Sequence, residues 1–150
     1  MPAPATLTGQ DVGEAEGALT ALLNQVLSNT DITRNQYITL HVLALRGPAP
    51  SPAELHDYLA SQPQLGLDRS QIAELLLGLE AKGLVADSAA DGPGPTELTA
   101  EGAALHARLA EAVGAATRRV YAGLDPDDLA TTHRVLVEIT ERARRLRDQS

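Results

Sequence analysis

Between residues 51 and 102 the chain carries two capped amphipathic helices, a short apolar segment, a Gly/Pro turn and a second short segment, in that order. Ser51-Pro52-Ala53-Glu54 sets a capping hydroxyl, its Glu partner and a proline at the first helical position side by side. Leu55 and Leu59 give the helix that follows its buried side. Gln62 to Gly66 turns the chain, and Asp68 to Gln71 caps the next helix, whose inner face is Ile72, Leu75, Leu76 and Leu79. Gly83 stands where a helix C-terminus needs a residue free to adopt positive φ. Residues 84–87 and 96–99 then read as the strands of a small hairpin around a turn at 89–95. Two tightly joined helices followed by a β-wing make a winged helix-turn-helix.

Helices flank this segment on both sides. One follows Thr8, with Val12, Ala15, Leu19, Leu22, Leu23 and Val26 on one face; another opens at the capping box Thr33-Arg34-Asn35-Gln36 and presents Tyr37, Ile38, Val42 and Leu45. It stops at Gly47-Pro48. After Thr99 a long helix carries the stripe Leu105, Leu109, Val113, Val120 and Leu124, and Asp125-Pro126-Asp127-Asp128 caps the last one. The expected fold is therefore mainly α with a small β-hairpin wing. A single domain of residues 1–150 is expected, with a lobe at 33–99 and dimerisation helices at 9–29 and 100–148. The terminal stripes exceed what the lobe can cover, so a second copy of the chain is the expected cover. Leu19, Val26, Leu105, Leu109, Val113, Val120, Leu136, Ile139 and Leu146 are the expected interface.

Charge points elsewhere than the fold does. Residues 51–102 hold only Arg69 and Lys82 against Glu54, Asp57, Asp68, Glu74, Glu80, Asp87, Asp91, Glu97 and Glu101, and the whole chain has a net charge of −8. Such a balance opposes non-specific adhesion to DNA or anionic membranes. With no Phe or Trp and Tyr only at 37, 58 and 121, stacking platforms for unpaired bases are scarce. The absence of Cys excludes thiolate metal sites and thiol redox sensing. Residues 1–8 lack a basic and apolar leader pattern and no run is long enough to span a bilayer, so a cytoplasmic protein without membrane association is expected.

From about residue 32 to residue 146 the sequence resembles the MarR family of bacterial transcriptional regulators. Residues 67–85 carry the likeness, above all Leu79-Glu80-Ala81-Lys82-Gly83-Leu84-Val85, together with Leu98-Thr99-Ala100-Glu101-Gly102 at the start of a long helix. The resemblance implies a homodimer that offers the fourth helix of each subunit to the major groove of double-stranded DNA, represses transcription and releases DNA when a small-molecule effector binds. Arg69, Ser70 and Gln71 are then candidates for reading base edges or phosphates, Lys82, Arg46 and Arg34 for touching the backbone, and Ser51 and Ala73 complete the candidate DNA-binding set. Tyr37 and His41, one helical turn apart, are candidates for the effector pocket. The opposing view packs both under the first helix.

Departures from the family pattern are specific. The outward face of the fourth helix carries Ala73, Glu74, Leu77 and Gly78 where polar or basic residues are common. Asp87 stands where Arg is frequent, and Asp91 is followed by Gly92 and Pro93 instead of a base. These favour an alternative: a winged-helix dimer without DNA readout that binds a small molecule or a protein. Family members that sense zinc draw attention to His41 and His106, with Glu14 or Glu16, but two histidines do not define a tetrahedral site, and no metal or cofactor is expected. Arg142, Arg144, Arg145 and Arg147 are expected to complement the last helix's dipole and to pair with the acidic first helix. No enzyme is expected: Gly92-Pro93-Gly94-Pro95 lacks the Lys-Ser/Thr of a phosphate loop, and no serine sits in a nucleophile elbow.

Overall fold

Local hydrogen bonding fixes where the helices begin. In the computed structural model, which describes residues 5–87 and 94–150, Thr8, Thr33 and Asp68 each accept a bond from the backbone N–H three residues on. The side-chain oxygens of Asp11, Gln36 and Gln71 in turn accept from the backbone N–H of the capping residue. These boxes open α1 (Gly9–Leu27), α2 (Arg34–Arg46) and α4 (Arg69–Ala81). Ser51 Oγ accepts from the Glu54 N–H to start α3 (Pro52–Ala60), with Pro52 already in helical geometry. A two-stranded antiparallel sheet follows, β1 (Val85–Ala86) and β2 (Glu97–Leu98), in the register Val85 to Leu98 and Ala86 to Glu97. Next come α5 (Ala100–Tyr121) and α6 (Pro126–Asp148). The architecture is thus mainly helical with a small hairpin. Most of the expected 89–95 turn, with Asp91, Gly92 and Pro93, lies outside the described residues.

The strands are shorter than the segments at 84–87 and 96–99 because the flanking residues bond elsewhere. Thr96 forms a bridge with Ala49 through bonds of 2.9 and 3.2 Å, drawing the loop after α2 into the wing. Thr99 keeps a single cross-strand bond, its N–H donating to the Leu84 carbonyl at 3.0 Å, while its side chain caps α5: the hydroxyl accepts from the Gly102 N–H at 3.0 Å and donates to the Gly83 carbonyl at 2.6 Å.

Two compact units result, Met1–Ala116 and Thr117–Ser150. The first is built on α3 packed against α4, with α2 touching α1, α4 and β2. Leu40, Leu59, Ile72, Leu76 and Leu79 are wholly buried at its centre. The expected inner face of α2 is corrected here. Tyr37 is buried, but its companions are Thr39, Leu40 and Leu43, while Leu45 is 73% exposed. Apolar residues lie all round this helix, so packing sets the phase, and Thr39 satisfies its hydroxyl on the Asn35 carbonyl at 2.9 Å.

Leu109 is a second correction. It is 6% exposed and belongs to the core of its own unit, with Leu105 and Val113 half-buried against that core. By contrast Leu19 on α1 is exposed, as is Val120 near the end of α5. In the second unit α6 buries no residue and leaves Leu136, Ile139 and Leu146 exposed. Asp125 caps it through the Asp127 N–H at 2.8 Å, and Asp127 with Asp128 at one end and Arg145 with Arg147 at the other suit the helix dipole. Within this helix Arg142 pairs with Glu138 at 2.8 Å and Arg147 with Asp148 at 3.3 Å.

Candidate nucleic-acid interface

The turn from α3 to α4 places the amino end of α4 at the surface. Arg69, Ser70 and Gln71 are all exposed there. Gln71 is partly committed, since its carbonyl oxygen accepts from the Asp68 N–H at 3.0 Å as half of the capping box. Arg69 meets Asp57 of α3 at 2.5 Å. Ala73 is half-buried, and Glu74 and Leu77 face solvent beside it, Leu77 at 55% exposure.

The proposed backbone contacts divide in two. Arg46, at the last residue of α2, lies over the Tyr58 ring at 4.1 Å, a cation–π stack that holds the guanidinium at the surface. Lys82 instead serves the fold. Its ammonium donates to the Asp31 carbonyl and, at 3.2 Å, to Gln36 Oε1, and lies 3.6 Å from the Asp31 carboxylate. That clasp joins the end of α4 to the α1–α2 turn. Ser51 is spent on the α3 cap. Arg34 is likewise engaged, donating to the Gln64 carbonyl at 3.1 Å and pairing with Glu16 at 3.6 Å.

The candidate effector residues Tyr37 and His41 belong to a three-ring cluster. Tyr37 is 6% exposed and packs in the core, so it forms no open aromatic wall. Its ring stacks on His41 at 5.7 Å and on His106 of α5 at 6.0 Å, and His41 Nδ1 lies 2.9 Å from His106 Nε2. Burial raises the Tyr37 pKa above its ordinary value. Burial, followed by the charge of His41, lowers that of His106. The pairing of His41 with His106 was legible only as two histidines on neighbouring helices. Among the described residues no three His, Asp or Glu side chains gather to hold a metal ion.

Two open clefts of about 250 Å³ take part of their walls from α2, and neither is lined by Tyr37 or His41. One lies between α2 and α3, with Arg46, Tyr58, Glu54 and Leu55 in its walls. The other lies among α2, β2 and α5, with Leu43, Pro48, Glu97, Leu98 and His106. Sequence reading missed both, because Pro48 and Ala49 enter the walls only once the α2–α3 loop joins the wing. No helix among the described residues is long and apolar enough to cross a membrane.

No family model matches the sequence, and no curated protein matches it. Solved structures do. The transcriptional regulator PA3341 is 24% identical with a TM-score of 0.73, over 91% of this chain and 98% of that one. The Mycobacterium tuberculosis MarR family protein Rv2887, solved in complex with DNA, is 27% identical with a TM-score of 0.68, over 90% and 98% of the two chains. Wild-type MarR from E. coli in its apo form is 24% identical with a TM-score of 0.66, over 91% and 98%. The first is described as a transcriptional regulator and the second as a MarR family protein. From its capped α3–α4 pair to its two-stranded wing, the chain has the MarR-family winged-helix fold.

Proposed function

We propose that this protein is a DNA-binding transcriptional regulator of the bacterial cytoplasm, a homodimeric repressor whose duplex affinity is set by a small-molecule ligand. The observation that carries the reading is the exposed amino end of α4, where Arg69, Ser70 and Gln71 stand clear of the core. They do so on the same fold as a 27% identical protein solved with DNA. Helix N-termini and Arg and Gln side chains are suited to phosphate and base edges. Dimerisation draws support from apolar faces that each unit leaves open: Val12 and Leu19 in the first, and Leu124, Leu136, Ile139 and Leu146 in the second. The cleft that includes His106 is the natural place for an effector, since its walls come from α2, the wing and α5 together.

Selection from a random duplex library at about 50 and 150 mM salt, followed by fluorescence anisotropy, tests this. A pseudo-palindrome with half-sites about one helical turn apart is the expected product. Arg69→Ala is expected to weaken binding to it by about 10- to 100-fold, the worth of one good base contact. No enrichment even at the lower salt would shift the reading to a winged-helix dimer that binds a small molecule or a protein. The exposed Leu77 on the groove-facing helix is the observation that favours that second reading.

A further inference from the structure

Arg69 is the only base within α4, and the structure does not leave it free. Its guanidinium reaches 2.5 Å from the Asp57 carboxylate of α3, with side-chain exposures of 74% and 58%. The pair does little for the fold. The start of α4 is already fixed by the box between Asp68 and Gln71, and an ion pair this exposed contributes little to stability. A cation in the first turn also opposes the helix dipole, whereas an oxyanion there is favoured. Asp57 therefore supplies, from within the chain, the kind of group that a DNA phosphate would bring to the same place.

We propose that Asp57 is an intramolecular competitor for Arg69, which lowers the affinity of α4 for every duplex; this rests on the DNA-binding reading. Binding becomes an exchange. Arg69 must give up a carboxylate to gain its DNA contact; against a phosphate alone the two contacts largely cancel, and the released Asp57 is left facing the DNA backbone. Such an arrangement penalises duplexes that offer Arg69 only a phosphate. A site where the arginine also engages a base edge in two-pronged fashion recovers the loss.

The test is a double-mutant cycle in the full-length protein, with Asp57→Asn, Arg69→Ala and the double variant. Anisotropy is read on a labelled mixed-sequence duplex of about three helical turns, at about 50 mM salt. Thermal melts of each variant confirm that the fold is kept, as the exposure of both side chains leads one to expect. Asp57→Asn is expected to tighten binding by about two- to fivefold per reading head, the range of an exposed ion pair. In the Arg69→Ala background that gain is expected to shrink to the part that comes from removing a negative charge beside the DNA. An equal gain in both backgrounds would overturn the proposal, because it would report only the removal of a negative charge. No gain while the wild-type protein binds overturns it too, and leaves the DNA-binding reading standing. Failure of both the wild-type protein and Asp57→Asn to bind any duplex sinks the two together.

Discussion

Replacing Gly102 by alanine tests whether the start of α5 is placed by a backbone contact that only glycine permits. A Cβ at this position would lie 2.0 Å from the Leu84 carbonyl oxygen, 2.9 Å from its carbon and 3.2 Å from its Cα. An ordinary carbon–oxygen contact is longer by more than about 1 Å, so the helix or the strand must move. Leu84 is poorly able to yield. Its N–H donates to the Leu79 carbonyl at 3.0 Å, and its own carbonyl accepts from the Thr99 N–H at 3.0 Å. Loss of one such bond costs about 1 kcal/mol, and overpacking a fitted site about 1–3 kcal/mol. The better helix propensity of alanine returns at most about 1 kcal/mol. The net is a loss of about 1–4 kcal/mol, which for a chain of this size lowers Tm by about 3–15 °C. Gly17→Ala is the matched control. It makes the same chemical change on the face of α1 opposite the apolar stripe, where nothing lies within 4 Å. There alanine is expected to raise stability by about 0.5–1 kcal/mol. Scanning calorimetry of the two variants should therefore give opposite signs. A Gly102→Ala protein melting at or above the wild-type temperature would refute the close approach and the reason given for this glycine.

Because burial and the His41 charge lower the His106 pKa, the unfolded chain takes up a proton there more readily than the folded one. That contribution to stability is therefore whole above about pH 6.5 and is lost as pH falls towards the folded value. Urea melts at about pH 7.5 and 5 should show a smaller acid-induced loss in His106→Asn than in the wild type, and equal losses would contradict the assignment. Lys82→Ala is expected to cost about 1 kcal/mol of stability while leaving duplex affinity within about twofold, since the clasp on Asp31 and Gln36 is what it removes. A tenfold loss of affinity in a folded Lys82→Ala protein would return this lysine to the DNA backbone. Leu109→Ala should destabilise the chain by about 2–4 kcal/mol through the cavity it leaves. Leu146→Glu, 66% exposed in the single chain, should instead shift sedimentation towards monomer, and an unchanged sedimentation profile would remove Leu146 from the interface.

What could be read in the sequence was what depends on neighbours along the chain. Thr8, Thr33, Ser51 and Asp68 announce their helices because each cap closes within three residues, and Gly83 at φ 75° marks the end of α4 for the same local reason. The motif around Thr99 and Gly102 was legible as a likeness, but its cause, the Leu84 carbonyl against Gly102, belongs to tertiary packing. So do the phase of α2, the burial of Leu109 and the bridge from Ala49 to Thr96. Electrostatics shows the limit most clearly. A count of charges finds four bases in residues 33–99, Arg34, Arg46, Arg69 and Lys82, against twice as many carboxylates, a balance that opposes non-specific adhesion to DNA. The fold spends three of them: Arg34 on Glu16, Arg69 on Asp57 and Lys82 on Asp31. Of these four bases only Arg46, stacked on Tyr58, has no carboxylate of the described residues within ion-pair distance. A lobe whose bases are so nearly neutralised from within has little long-range pull on a duplex to screen. Its binding should therefore vary less steeply with salt than in a regulator with free bases, and depend more on what Arg69 meets once Asp57 lets go.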